Sequence, residues 1–208
     1  IYSSATGTMD FRTGAFLGGA PEMGLMSAAL VEMGRFYGLP ATAAGCTSDA
    51  HEPGPEAVLE KLATMLPPAL AGADIVVGFG EVEGDQALVL EQILVDDELA
   101  RFCDRLLAGI GTADGEDLAA EVLDVGPGGD FLARRATRRA SRDGTFLAPS
   151  TLGRHARQAW LDLGSPTMYR TARERVAAIL EAAPADPLPD SAAAALADVL
   201  AAADRELG

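Results

Sequence analysis

Gly45-Cys46-Thr47-Ser48-Asp49-Ala50-His51-Glu52-Pro53-Gly54-Pro55 crowds a thiol, hydroxyls, a carboxylate and an imidazole into one short stretch. Before it, Leu39 to Ala44 is a run of small and apolar residues. After it, Pro55 suits the first turn of a helix, with Val58, Leu59, Leu62, Leu66 and Leu70 predicted on one apolar face. The stretch therefore reads as the loop at a strand's carboxyl end, the place where parallel α/β proteins bind ligands and do chemistry.

Two more strand-loop-helix units flank it. Upstream, a strand ending near Ser4 leads through a long loop, Ala5 to Ala20, into a helix begun by Pro21-Glu22. Met26, Leu30, Met33 and Tyr37 are spaced as its buried face, and Gly38 closes it. Downstream, Ala73-Asp74-Ile75-Val76-Val77-Gly78-Phe79-Gly80 is a continuous apolar run suited to a strand buried on both faces, with a loop through Glu81 to Asp85. Helical periodicity follows: Leu99, Phe102, Leu106 and Ile110, then Leu118 to Leu123, a break at Gly126-Pro127-Gly128-Gly129, and helices near 131–141, 151–163 and 167–182. Pro184 to Pro189 reads as a rigid linker to an alanine-rich helix capped by Asp190 or Ser191. The expected division is 1–183 as one α/β unit with trailing helices and 184–208 as linker and final helix packed on it.

Three parallel strands leave open edges and uncovered faces. The expected architecture is the C-terminal portion of a TIM (β/α)8 barrel, three βα units followed by several helices; a doubly wound open sheet is the alternative. Ile1-Tyr2-Ser3-Ser4 reads as the tail of a strand, so the chain is expected to be the later part of something longer.

Composition narrows the partners. A net charge of -15 with 49% hydrophobic residues is that of a folded acidic domain, unsuited to nucleic acid or anionic membranes and suited to a cationic or neutral small molecule. No stretch reaches the length of a membrane span. Two cysteines far apart give neither a disulfide framework nor a zinc signature, and a reducing cytoplasm is the expected location. Lys61 is the single lysine and is expected on the surface of its helix.

The three post-strand loops hold the candidate site. Asp10 and Arg12 lie in the first, Asp49 and His51 in the second, Glu81 and Glu83 in the third, and in a barrel these loops meet at one mouth. Carboxylates there, with the aromatics Tyr2, Phe16 and Phe79, would hold a quaternary or protonated amine by charge and cation-π attraction. The plainer reading is that these side chains cap helices and satisfy turns. Cys46, Asp49 and His51 lack the second histidine or cysteine that zinc asks for, so no metal site is expected. Gly126-Pro127-Gly128-Gly129 lacks the spacing of a nucleotide loop and reads as a turn. Arg134, Arg135, Arg138, Arg139 and Arg142 form a basic stripe, read as a solvated face with nearby acids or as a dock for an anionic partner.

Gly18-Gly19-Ala20-Pro21-Glu22, Tyr37-Gly38-Leu39-Pro40, Ser48-Asp49-Ala50-His51 with Glu60-Lys61, and Gly126-Pro127-Gly128-Gly129-Asp130-Phe131-Leu132, with Trp160, Gly164 and Arg173, together resemble the trimethylamine methyltransferase family in order and spacing. The resemblance covers nearly the whole chain and is to the carboxy-terminal part of that family, which includes glycine betaine methyltransferases lacking pyrrolysine. It implies a TIM barrel and transfer of a methyl group from a tertiary or quaternary methylated amine to the cobalt of a corrinoid carried by a separate small protein, with no tightly bound cofactor. On that reading Asp49 and His51 are the expected catalytic residues. Tyr2, Asp10, Arg12, Glu22, Phe79 and Glu81 are the expected substrate-binding residues, with Arg12 or His51 available to a betaine carboxylate.

The chain departs from the family pattern at His51, where a lysine is common, at Glu56, where a glutamine is, and at Ala136, where a histidine precedes Thr137. It has no pyrrolysine, which favours a non-pyrrolysine member acting on a quaternary amine. The competing readings are a catalytically silent amine-binding barrel and an inactive fragment that associates with itself through open strand edges.

Overall fold

The computed structural model describes residues 1–110, 118–182 and 188–207. They form a mixed α/β structure in two compact units, Ile1–Val176 and Ala177–Gly208.

Three short strands, β1 (Tyr2–Ser4), β4 (Ala41–Ala44) and β5 (Ile75–Val77), make a parallel sheet in the order β1-β4-β5. Tyr2 stands opposite Ala41, and Thr42 opposite Ile75. Between β1 and helix α1 (Pro21–Phe36) the chain forms an antiparallel hairpin, β2 (Thr8–Met9) with β3 (Phe16–Leu17). Helix α2 (Pro55–Ala71) joins β4 to β5, and a second hairpin, β6 (Glu81–Val82) with β7 (Ala87–Leu88), precedes α3 (Leu90–Leu107). The expected three βα units are all present. Short helices follow: α4 (Leu118–Val125), α5 (Arg135–Ala140), α6 (Arg157–Asp162) and α7 (Met168–Glu181). The second unit holds the end of α7 and α8 (Asp190–Leu207), whose first turn is closed by Ala192 and Ala193 N–H groups donating to the Pro189 carbonyl. Asp190 thus begins the helix rather than preceding it. Residues 184–187 of the expected linker lie outside the described residues.

The helix faces correct the expectation. In α1 the buried residues are Met23, Gly24, Ser27, Val31 and Gly34, while Met33 and Tyr37 are exposed. In α2 they are Ala57, Lys61, Thr64, Met65 and Pro68, while Leu59 and Leu70 are 70% and 62% exposed. Close approach explains it. A Cβ on Gly24 would run into the Ala63 carbonyl of α2, so the two helices meet there through small residues, and Leu25, Leu59, Leu62 and Leu70 point outward while Leu66 and Val58 pack partly against the core. Likewise β5 is buried on one face only: Val76 packs against the core between α2 and α3, while Ile75 and Val77, which alternate with it, are exposed on the other face.

The core has three small centres. Val31 packs with Ala41 and Ala43 under α1. Cys46, Met65, Leu99 and Cys103 meet between the sheet, α2 and α3, with Phe79 against them. Ala50, Ala57 and Val82 pack below the second hairpin.

Candidate functional site

The loops beyond the strands' carboxyl ends meet, and Asp49 is where they are tied. One Asp49 carboxylate oxygen accepts the Gly18 N–H at 2.9 Å and the other accepts the Gly19 N–H at 2.8 Å, both at the entry to α1. The Thr47 hydroxyl donates to the Gly18 carbonyl at 2.6 Å. From the third loop, the Glu83 N–H donates to the Ala50 carbonyl at 3.0 Å and the Gly84 N–H to the Ser48 carbonyl at 2.9 Å. Underneath, one Glu60 carboxylate oxygen on α2 accepts the Ser48 hydroxyl and the Asp49 N–H, each at 2.8 Å. Asp49 and Glu60 are thus spent on backbone and hydroxyl donors, and their role is to fix the loops.

A second polar cluster lies deeper. Lys61 is fully buried, not on the surface as expected. Its Nζ donates to the Cys46 carbonyl at 2.6 Å, the Gly78 carbonyl at 3.0 Å and Asp96 Oδ2 at 3.0 Å. Asp96 Oδ2 also accepts the Gly80 N–H at 2.7 Å, and Oδ1 accepts Gln92 Nε2 at 2.7 Å. Gln92 Oε1 in turn accepts the Tyr169 hydroxyl at 2.8 Å. Burial, then the charge of Asp96, pushes the Tyr169 pKa up to about 12, so the phenol keeps the proton it donates. Each buried polar atom of this chain of contacts has a partner, as a low-dielectric interior requires.

Facing outward are Glu81, Glu83, Asp85 and His51. Glu81 is half-buried, and burial followed by the adjacent Asp85 carboxyl raises its pKa. His51 is 90% exposed, with Nδ1 at 3.3 Å from a Glu83 carboxylate oxygen.

Not all the expected site residues gather here. Asp10 and Arg12 pair with each other at 2.9 Å on the turn between β2 and β3, where the Arg12 side chain and N–H hold the Asp10 carboxyl below its ordinary pKa. Tyr2 lies at the opposite, amino end of its strand, its ring 6.4 Å from that of Tyr37. Phe79 turns into the core against the cysteine cluster. Glu22 is exposed in the first turn of α1, and Glu56 in that of α2, where carboxylates meet the positive helix ends. Residues the sequence reading missed as site-forming are Glu60, Lys61, Gln92, Asp96 and Tyr169.

Burial, then Asp96, raises the Cys46 thiol pKa, which disfavours the thiolate that a nucleophile or metal ligand needs. Among the described residues no group of three His, Cys, Asp or Glu side chains is placed to hold a metal ion. The glycine run forms a turn, with the Gly129 N–H donating to the Gly126 carbonyl at 3.2 Å. In the basic stripe, Arg134 pairs with Asp124 at 2.6 Å, while Arg135, Arg138, Arg139 and Arg142 line a surface hollow with Asp143. Among the described residues no helix is long and apolar enough to cross a membrane.

Fold and site together define an α/β protein that gathers carboxylates in the loops beyond the carboxyl ends of a parallel sheet. Residues 1–208 match the family model described as Trimethylamine methyltransferase (MTTB), and the chain belongs to that family. It is 37% identical over 181 residues to trimethylamine methyltransferase MttB of Methanosarcina barkeri, covering 86% of this chain and 36% of that protein. To trimethylamine methyltransferase MttB of Desulfitobacterium hafniense (strain DSM 10664 / DCB-2) it is 32% identical over 209 residues, covering 100% of this chain and 42% of the relative. To the glycine betaine methyltransferase of Desulfitobacterium hafniense (strain Y51) it is 31% identical over 162 residues, 77% of this chain and 33% of the relative. The chain thus spans between 33% and 42% of the length of these relatives.

Proposed function

We propose that the protein containing this chain moves a methyl group from a tertiary or quaternary methylated amine to the cobalt of a corrinoid held by a partner protein in the cytoplasm. The observation that carries this reading is the meeting of three post-strand loops around carboxylates in a member of a methyltransferase family. In the reaction the bond from a quaternary or protonated nitrogen to its methyl carbon breaks with the electron pair left on nitrogen, so the nitrogen leaves uncharged, and the acceptor, reduced cobalt(I), would supply the pair for the new bond to the methyl group.

This chain's share is to hold the amine. Glu81, Glu83 and Asp85 place negative charge at the strand ends, which attracts a cationic nitrogen and orients its methyl group toward an approaching acceptor. Asp49 and Glu60 fix the first and second loops, and the third is tied to the second by the Glu83 and Gly84 N–H groups. His51, exposed beside Glu83, is available to a betaine carboxylate, whereas Arg12 is engaged by Asp10. The sheet, with sequential parallel strands joined by helices, is compatible with one sector of a (β/α)8 barrel.

The test uses the intact protein, a cobalt(I) corrinoid protein, and trimethylamine, tetramethylammonium and glycine betaine as donors, with the methylcobalt absorbance as readout. Methylation from at least one donor is expected. Calorimetric binding of an amine without transfer would favour a silent amine-binding barrel instead, and neither binding nor transfer would overturn both readings.

A further inference from the structure

We propose that Lys61 is the positioning residue of the mouth, holding the loops that leave β4 and β5 in register so that their carboxylates share one site. The inference rests on the methyl-transfer reading for its kinetic consequence and on the geometry alone for its structural one. Lys61 is the single lysine of a chain whose other fifteen basic residues are arginines, and it is completely buried. An ammonium offers three donors on a flexible stem, and here all three are used. Two go to the main-chain carbonyls of Cys46 and Gly78, within two residues of the carboxyl ends of neighbouring parallel strands. The third goes to Asp96 on α3, which also holds the Gly80 N–H.

The backbone at these points needs holding. Cys46 has φ +57°, a left-handed conformation that a non-glycine residue adopts at a cost, and Gly78 and Gly80 have φ +111° and +83°. Space is also short: a Cβ on Gly78 would clash with the Gly45 carbonyl, so the two strand exits run in contact. Beyond the clamp the second loop carries Ser48, Asp49 and His51, and the third carries Glu81, Glu83 and Asp85. The only direct main-chain ties between those loop tips are the Glu83 to Ala50 and Gly84 to Ser48 bonds among the described residues. Without the ammonium, the Cys46 carbonyl would lose its 2.6 Å donor and the Gly78 carbonyl would keep only the longer bond from the Glu81 N–H at 3.3 Å, with nothing left to bridge the two strand exits. A purely structural ion pair would not need to reach either carbonyl.

The experiment compares Lys61→Met, Lys61→Met with Asp96→Asn, and Val31→Ala as a core control away from the loops, all in the intact protein. Hydrogen exchange at the Glu83 and Gly84 amides, the urea midpoint, and KM and kcat for the preferred amine are read. The single Lys61 variant leaves Asp96 unpaired and is expected to lose stability, whereas the double variant removes both charges and regains most of it. In both, the Glu83 and Gly84 amides exchange at least tenfold faster and KM rises at least tenfold; in Val31→Ala neither changes beyond what the lowered global stability accounts for. Recovery of exchange and KM together with stability in the double variant would overturn the proposal, since it would make the pair merely structural. If both lysine variants fail to fold, Lys61→Arg, which keeps the charge but not the compact three-donor geometry, is read by the same amides, and unchanged exchange there overturns it. If the wild-type protein transfers no methyl group, the exchange measurement still decides the clamp, so the two failures are told apart.

Discussion

Replacing Asp49 by alanine separates a chemical role for this carboxylate from a structural one. Its two oxygens accept two backbone N–H groups, of Gly18 and Gly19, at 2.9 and 2.8 Å. Hydrogen bonds to a charged acceptor contribute about 1.5–3 kcal/mol each, so the pair bounds the loss at about 3–6 kcal/mol. Asp49 is only half-buried, and water can reach part of the space that alanine leaves, which brings the expected destabilisation to about 2–4 kcal/mol. An asparagine in its place would keep one acceptor and turn an amide donor toward the other N–H, so Asp49→Asn should lose nearly as much. The assay is urea unfolding of the intact protein, reading the midpoint at constant m. His51→Ala is the comparison: its exposed contact with Glu83 contributes about 0–1 kcal/mol, so the midpoint should barely move whatever happens to methyl transfer. An Asp49→Ala protein within about 0.5 kcal/mol of wild type, the spread of ordinary surface substitutions, would refute the loop-fixing role.

Two further outcomes follow from the packing. Gly24→Ala should destabilise by about 1–3 kcal/mol through overpacking, because its Cβ would meet the Ala63 carbonyl, the Thr64 Cα and the Pro67 ring; thermal unfolding checks it, and a stabilised variant would mean that α1 and α2 do not meet there. Glu98 is buried in α3, and one oxygen accepts the N–H and hydroxyl groups of both Ser150 and Thr151. Burial alone would raise its pKa, but the bonds from Thr151 and Ser150 outweigh that and hold it below the ordinary glutamate value of 4.5. A carboxyl lowered on folding contributes stability that is present above 4.5 and lost as pH falls through the folded-state pKa. Glu98→Gln should therefore cost about 1–3 kcal/mol at pH 7 and flatten the acid limb of a urea-midpoint profile, and an unchanged limb would assign that limb to other groups.

The order of elements was legible because strands and helices differ in period and in punctuation. Pro21 and Pro55 open α1 and α2 as their placement predicts, Gly38 follows α1, and the three expected strands, one read as a strand's tail and two as apolar runs, pair in parallel. The inward helix faces were not legible, because a leucine count assumes that the largest apolar residues face the core. In α2 the inward row is Ala57, Lys61, Thr64 with Met65, and Pro68, recurring every three or four residues like any buried stripe but with Met65 as its one large apolar side chain. Hydrophobicity hides such a row, and only the small residues at the crossing signal it, since they let two helices approach as Gly24 and Ala63 do.

The polar site was half seen because burial here does not follow polarity: Lys61 and Gln92 are among the largest fully buried side chains. Asp49 and the third loop were visible as polar residues after strands, where the backbone leaves the sheet and side chains answer its unpaired groups. Lys61, Gln92 and Asp96 sit inside helices, where polar residues ordinarily mark the solvent side, and α3 buries Gln92, Val95, Asp96, Leu99 and Cys103 on one face. A charged residue at a helical position three or four away from alanine, threonine or valine on both sides is a signal in its own right. It indicates a partner on the facing element, and here the partners are strand-end carbonyls and one carboxylate rather than water. Aromatic side chains misled in the opposite way. Tyr2 and Phe79 flank the loops in sequence, yet side chains alternate along a strand and a strand has two ends, so adjacency in sequence placed one ring at the far end and the other in the core. Of the expected aromatics only Phe16, exposed beside Gly18 and Asp49, stands near the carboxylates, and recognition of a methylated cation by the carboxylates alone would be weakened by salt, because exposed charges are screened over about 10 Å at 0.1 M ionic strength, whereas the buried clamp beneath them would not.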